Sequence, residues 1–439
     1  MDFLKRLRLS PTNKIALSGS GGKTTLMFQL AKEFNSRVIL TTSTHLALDQ
    51  LSAADIHFSV QTLADLSDLK QDINGNILLF TGNQVEPNRV EGPGEEVLLG
   101  LNDLADDWNC PLIIEADGSR QLPIKAPAVH EPPIPDFVDT VIVSVGLSGL
   151  GKPLSGRWVH RPELFSQLVG VPLGTEITSK HLGKAICSAN GGLKNIPSGS
   201  RKILFINQID SFPNWRTFHE QLDAFLDVFN AVAFAVLEDQ LLLEVHERIG
   251  GIVLAAGGST RFGSPKQLLD WKGTPLIQHI TRIAREGGLK PVLAILGADH
   301  EEISQALEGS RVEIIPNQNW EEGQSTSVKA GIDALPEEIG GVIILLVDQP
   351  FISPKLIKKI KQSHAISQEN IILPKVGEQQ ANPVLFDRNT FDDLRGLEGD
   401  VGGRAIFERY PPRKVKWDDV RILKDIDTPD DYQNLLAME

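Results

Sequence analysis

The sequence predicts an α/β protein of two three-layer domains, each with a mostly parallel sheet between helices. Three observations carry this. At 439 residues the chain is too long for one ordinary core. Twice, an apolar run empties into a glycine-rich polar loop: Lys14 to Leu17 before Ser18 to Thr25, and Ile252 to Ala255 before Gly257 to Lys266. From Gly250 onward, strand and helix patterns alternate, as a parallel sheet with crossover helices requires. The boundary falls near Val245 to Ile249, giving domains 1–247 and 248–439.

Bulk composition narrows the function. Apolar content of 41% and charged content of 23% are those of an ordinary globular protein. A net charge of −14 argues against nucleic acid or an anionic membrane as partner, while leaving room for local basic loops. No apolar run approaches the roughly 20 residues that span a bilayer. The opening MDFLKRLRLS lacks the apolar segment of a secretory signal, so the chain reads as cytoplasmic. Cys110 and Cys187 have no metal-knuckle spacing and read as buried free thiols.

In the first domain, the strand Lys14 to Leu17 is followed by Ser18-Gly19-Ser20-Gly21-Gly22-Lys23-Thr24-Thr25 and a helical pattern, Leu26 to Phe34. This is a phosphate-loop arrangement: N–H groups at a helix N-terminus, a lysine charge, and a threonine able to hold Mg²⁺. The formal Walker pattern fails, because Leu17 stands at its first glycine. A strand Val38 to Thr42 ends in Thr42-Ser-Thr-His45, on a ligand edge or as caps. A third strand, Leu112 to Ile114, ends in Glu115-Ala116-Asp117. Two acids one residue apart point the same way off a strand, so Glu115 and Asp117 could share a metal or a water, Asp117 joining Thr24 as a metal candidate; capping of the following turn is the plain alternative. The proline-rich stretch Ser119 to Pro135 reads as a rigid loop without regular structure. After a strand Val138 to Val145, Lys152 and Arg161 are candidate anion contacts. The strand Ile203 to Ile206 ends in Asn207-Gln208-Ile209-Asp210, which is similar to the base-reading loop of guanine-nucleotide proteins, with Gln in place of Lys. Asn207 and Asp210 are therefore nucleotide candidates, and ATP or GTP is the expected ligand. A helix Trp215 to Phe229 and a strand Ala231 to Leu237 close this half.

In the second domain, strands are expected near 251–255, 291–296, 312–316, 341–347, 371–374 and 382–386. Helices are expected near 275–286, 300–308, 325–334 and 354–363. The loop after the first strand is neither a Walker loop, because Ser264-Pro265 stands where Lys-Ser/Thr is required, nor a dinucleotide G-x-G-x-x-G. What remains, Leu254-Ala255-Ala256-Gly257-Gly258-Ser259-Thr260-Arg261-Phe262-Gly263-Ser264-Pro265-Lys266-Gln-Leu-Leu, resembles the nucleotidyltransferase signature of the molybdenum cofactor cytidylyltransferase branch. The guanylyltransferase branch usually has glycine at Ala256 and methionine at Phe262. The resemblance continues through Asn319 to Ser327, Val347-Asp348-Gln349-Pro350, Asn382-Pro383-Val384, Gly399-Asp400 to Arg404, and Asp425-Ile-Asp427-Thr-Pro429. Ala381 departs from it, since glycine commonly precedes the Asn-Pro pair.

The resemblance implies a Rossmann-like nucleotidyltransferase domain that transfers CMP from CTP to molybdopterin, with Mg²⁺ or alternatively Mn²⁺. Lys266, Arg261 and Asp348 would be catalytic. Leu254 to Ser259, with Arg261 and Lys266, would hold the nucleotide. Asp348 and Asp427 would hold the metal, Asp425 being a rival for the second place. Asn382, Pro383, Asp400 and Arg404 would meet the acceptor. A phosphate monoester is already anionic near neutrality, so no general base is required. Related chemistries remain open: GTP, a sugar-phosphate acceptor, or a non-catalytic cofactor carrier.

The first domain resembles the YqeC-type accessory proteins of selenium-dependent molybdenum hydroxylases. The match runs through Gly19 to Thr25, Thr41 to His45, Glu115 to Arg120, Lys125-Ala-Pro127, His130-Glu-Pro132, His160-Arg-Pro-Glu163 and Asn207 to Asp210. It implies a part in molybdenum hydroxylase maturation, with the apoenzyme as partner, while the residues Gly19 to Thr25 themselves make this an N-terminal P-loop-like domain.

Overall fold

The computed structural model describes residues 3–67, 69, 73–258 and 262–438. The chain falls into two compact units, Met1–Val245 and His246–Glu439. Both are mixed α/β, and parallel pairings dominate both large sheets.

The sheet of the first unit has nine strands: β1 (Lys14–Gly19), β2 (Val38–Thr42), β3 (Ile56–Ser59), β4 (Ile77–Thr81), β5 (Leu112–Glu115), β6 (Thr140–Gly146), β7 (Arg201–Asn207), β8 (Ala231–Val236) and β9 (Leu241–Glu247). Their spatial order is β9-β8-β7-β6-β1-β5-β2-β4-β3. Strands β1, β2, β5 and β6 are covered on both faces, which is why they read as unbroken apolar runs. Successive residues serve opposite faces. Ile15 and Leu17 pack with Leu26 and Leu30 of the helix Lys23–Glu33, whereas Ala16 packs with Leu101 and Phe165 on the other side. Because β1 is central, its carboxyl end opens between the ends of β5 and β6, the crevice where open α/β sheets bind ligands.

The second sheet comprises β10 (Ile249–Ala255), β11 (Val292–Leu296), β12 (Glu313–Pro316), β13 (Gly341–Leu346), β14 (Ile371–Val376), β15 (Gln379–Gln380), β16 (Val384–Asp387) and β17 (Arg413–Lys416). The order is β12-β11-β10-β13-β16-β14-β15, with β17 paired to β14. Helices Leu276–Glu286 and Pro354–Ser367 pack on one face, Gln324–Asp333 on the other.

Several expectations are corrected. Residues 215–229 form a 3₁₀ segment, Trp215–Gln221, then a short α-helix, Leu222–Leu226, rather than one helix. The proline-rich stretch contributes a two-residue strand, Ile124–Lys125, paired in parallel with Val159–His160. Cys110 is buried, and burial pushes its thiol up to about 11; Cys187 is only half-buried. Strands β3, β4 and β17 and the helix Pro429–Leu436 are additional to the sequence reading. Among the described residues no helix is long and apolar enough to cross a membrane.

Candidate active site

In the second unit the site forms where β10 ends. The chain leaves Ala255 through Ala256, Gly257 and Gly258 and returns as a 3₁₀ turn, Lys266–Leu268. Ser259, Thr260 and Arg261 lie outside the described residues. Gln267 ties the return to the strand end, its buried amide donating to Ala255 O at 2.8 Å and Gly257 O at 3.0 Å. Phe262 packs edge-on against Tyr432 of the helix Pro429–Leu436, and the Tyr432 hydroxyl donates to Asp270 O at 2.6 Å. The loop is thus fastened beside the turn that carries Asp427.

Lys266 brings the predicted acids together. Its Nζ donates to Ile426 O at 2.7 Å and stands 3.1 Å from Asp427 Oδ1 and 3.5 Å from Asp348 Oδ2. Asp348 follows the apolar strand β13, and its carbonyl accepts the Ile426 N–H at 3.0 Å. Burial pushes the Asp348 carboxyl above the ordinary range; Lys266 opposes this, and Asp425 and Asp427 add to it. Asp348 Oδ1 is buried and has no hydrogen-bond partner.

A cleft of about 740 Å³ opens over this cluster. Leu254, Ala255, Ala256, Gly257, Lys266, Asp348 and Asp427 all line it. A second cavity of about 380 Å³ shares Leu254, Gln324 and Leu346 with the cleft. The expected acceptor residues divide between the two. Asn382 and Arg404 line the smaller cavity, 3.4 Å apart. Asp400 lines the larger cleft, where it accepts the Gln324 N–H at 3.2 Å. Pro383 is buried behind Asn382, to which it is joined by a cis peptide bond. Asp425 also faces the smaller cavity and accepts from Gln349 Nε2 at 2.7 Å, whereas Asp427 faces the cleft.

In the first unit, Gly19, Gly21 and Gly22 all have positive φ, and a Cβ on Gly21 would run into the Gly146 backbone. Glycine is required there because the loop lies directly on the end of β6. Lys23 Nζ curls back to Gly19 O at 2.7 Å and sits 3.4 Å from Asp117 Oδ1. Thr24 Oγ1 donates to Glu115 Oε2 at 2.7 Å, so Glu115 is the acid that meets the loop threonine. Burial raises the Glu115 carboxyl above its usual value, with Lys23 and Thr24 opposing. Asp117 instead accepts the Gly19 N–H and Lys125 Nζ, the latter at 2.8 Å. The amide of Asn207 is taken up by backbone: it donates to Gly21 O at 2.7 Å and accepts from Leu237 N at 3.0 Å. Asp210 is exposed in the turn Ile209–Ser211, and Thr25 is exposed on the helix.

The proline-rich stretch supplies a buried ion network that residue spacing does not reveal. Lys125 Nζ lies 2.8 Å from Glu131 Oε2, and Arg161 grips both Glu131 oxygens at 2.6 and 2.7 Å. Burial alone would raise the Glu131 carboxyl, but Arg161 and Lys125 outweigh it and bring it to about 2. His160 is lowered to about 4, first by burial and then by Arg161 and Lys125. Arg161 is thereby committed to Glu131, and Lys152 lies over the Trp158 ring, 5.2 Å from its centroid.

Residues 251–415 match the MobA-like NTP transferase domain, and residues 15–163 match the YqeC protein family. The uncharacterized protein YqeC of Escherichia coli (strain K12) is 31% identical over 204 residues, covering 46% of this chain and 77% of that protein. The nicotine blue oxidoreductase of Paenarthrobacter nicotinovorans is 26% identical over 198 residues, 43% of this chain and 96% of its own. The crystal structure of Rv0371c from Mycobacterium tuberculosis H37Rv aligns with 44% of this chain and 100% of its own, at 28% identity and a TM-score of 0.40. Residues 251–415 of the second unit are therefore a MobA-like NTP transferase domain, which includes the loop, Lys266 and Asp348 and ends before Asp427. The chain belongs to the YqeC family through its first unit, with the transferase domain following the YqeC region.

Proposed function

We propose that the second unit transfers CMP from CTP to the terminal phosphate of molybdopterin, releasing pyrophosphate. The observation that carries this is the cluster of Lys266 between Asp348 and Asp427 on a cleft floored by Leu254 to Gly257. An oxygen of the co-substrate's phosphate attacks the α-phosphorus of CTP, and the bond to the β-phosphate oxygen breaks. The attacking group is already an anion near pH 7, so the protein's task is positioning and charge neutralisation. Lys266 would face the triphosphate, and backbone N–H groups after Ala255 would hold its oxygens. Arg261 is assigned to the same task.

The donor set fits a divalent cation. Asp348 presents a buried carboxylate oxygen with no protein partner, Asp427 brings a second carboxylate to the same lysine, and Mg²⁺ commonly takes one or two carboxylates with phosphate oxygens. Asp348 and Asp427 would hold Mg²⁺ or Mn²⁺. The ion supplies charge neutralisation on the phosphates; Lys266 supplies the rest.

In the first unit, Lys23, Thr24 and Glu115 support Mg²⁺-dependent binding of ATP or GTP at the loop Gly19 to Thr25, with Asp117 charge-balancing Lys23 and Lys125. Its role would be to couple nucleotide binding to maturation of a molybdenum hydroxylase that receives the finished cofactor. The test of the transfer reading is pyrophosphate release by the full chain with molybdenum-loaded molybdopterin, Mg²⁺ and either CTP or GTP. Release with CTP is expected. Preference for GTP would remove the cytidylyl assignment, and no release with either would favour a carrier.

A further inference from the structure

We infer that Gln349, oriented by Asp425, recognises a ring N–H or amino group on the heterocycle of the phosphate-bearing co-substrate; this rests on the transfer reading above. Gln349 follows Asp348 directly but turns to the other cavity. It is 5% exposed. Its Nε2 donates to Asp425 Oδ1 at 2.7 Å. The amide thus presents its NH₂ to Asp425 and its oxygen elsewhere. That oxygen, Oε1, is buried without a hydrogen-bond partner. A buried amide oxygen left bare is costly, and sites built to bind a donor are where such atoms are kept.

The cavity has the properties the inference needs. Its volume of about 380 Å³ falls within the range of small-molecule pockets. Ile344, Val384 and Phe386 give it apolar walls suited to a flat ring, and Asn382 and Arg404 add polar groups. The shared residues Leu254, Gln324 and Leu346 place it directly beside the Lys266 cleft. A ligand seated there can therefore extend its phosphate towards the triphosphate. The class of ligand that matches apolar walls with the Gln349 amide in their lining is a fused nitrogen heterocycle with an amino or ring N–H edge, which would reach the buried oxygen as the side chain adjusts to it. Asp425 is then a positioning residue, separate in task from Asp427.

The test uses the full chain with molybdenum-loaded molybdopterin, CTP and Mg²⁺. Gln349→Leu removes the oxygen and keeps an apolar side chain of related size. Asp425→Asn is isosteric and lets the Gln349 amide turn over, presenting its NH₂ to the cavity. Each should raise the KM for molybdopterin roughly tenfold, about the effect of one buried hydrogen bond. The KM for CTP and the Mg²⁺ dependence should stay as in the unsubstituted protein, and CTP binding by calorimetry checks that each variant is folded. An unchanged molybdopterin KM would overturn the inference, since a buried water would then be satisfying Oε1. A rise in the CTP KM instead would assign the cavity to the nucleobase, and altered Mg²⁺ dependence of Asp425→Asn would make Asp425 a metal ligand. If the unsubstituted protein makes no product, the transfer reading fails by itself. Equilibrium binding of molybdopterin, read by its fluorescence, then decides the inference: weaker binding to Gln349→Leu supports it and equal binding overturns it.

Discussion

Replacing Lys266 with methionine keeps most of the side-chain stem and removes the ammonium group. That group stands 3.1 Å from Asp427 Oδ1 and 3.5 Å from Asp348 Oδ2. At an effective dielectric of about 20, a unit pair at such a distance attracts by roughly 5 kcal/mol before desolvation is subtracted. Asp427 is 57% exposed, so solvent screens its share to about 1 kcal/mol or less. The Asp348 side chain is 25% exposed, and it carries most of the ground-state effect. The larger effect falls on transfer, where the lysine would face charge developing on the triphosphate. Removing one such preorganised donor costs about 3–4 kcal/mol, on the order of 10²- to 10³-fold in kcat. Lys266 also opposes the burial that raises the Asp348 carboxyl. Without it that carboxyl rises further, and the Mg²⁺ requirement should shift to higher pH. The assay is steady-state pyrophosphate release at saturating CTP, titrated with Mg²⁺ at several pH values. Turnover of Lys266→Met within about threefold of the unsubstituted protein would refute this reasoning, because the loss rests on transition-state charge.

Three further outcomes are expected. Lys23→Ala and Thr24→Val should each weaken Mg²⁺–nucleotide binding at the first unit by about tenfold or more, as charge-assisted contacts do; calorimetry with ATP and GTP that finds neither ligand bound by the unsubstituted chain removes the site. Gly21→Ala places a Cβ against the Gly146 backbone at a φ of +75, so it should destabilise the first unit by about 1–3 kcal/mol in urea denaturation. Acid should destabilise the same unit in two stages, because His160 and Glu131 both have folded values below their unfolded ones. The His160 contribution is present above pH 6.5 and is lost as pH falls to about 4. The Glu131 contribution is present above pH 4.5 and is lost as pH falls to about 2. A His160→Gln variant should lose the upper part of that slope in urea midpoints measured from pH 7 to pH 3, and an unchanged slope would assign it to other groups.

The parts that sequence reading reached share a local signature. Strands β1, β2, β5 and β10 are buried on both faces and stand out as apolar runs that end in glycine, hydroxyl or acid. The loop at Gly257 to Lys266 was legible because its residues are close in sequence. Strand β17 was not, because three of its four residues are exposed and charged, and only Val415 is buried. The Lys125–Glu131–Arg161 network escaped because Arg161 lies 30 residues from its partner and no periodicity links them. In the sequence Gln349 stands out only as part of Val347 to Pro350; its orphan oxygen is a property of packing around Asp425, 76 residues later. The resemblance groups Asp400 with Asn382 and Arg404, yet the fold turns it to the other cavity through the Gln324 N–H.

The central claim is that Lys266, Asp348 and Asp427 surround a CMP transfer. It is tested most directly by following the α-phosphate of CTP, labelled with radioactive phosphorus, in the presence of molybdenum-loaded molybdopterin and Mg²⁺. The label should appear in a cytosine dinucleotide of the cofactor, with one pyrophosphate released for each label incorporated, and Asp348→Asn should abolish both. Label remaining in CTP while the unsubstituted protein binds both substrates would contradict the account.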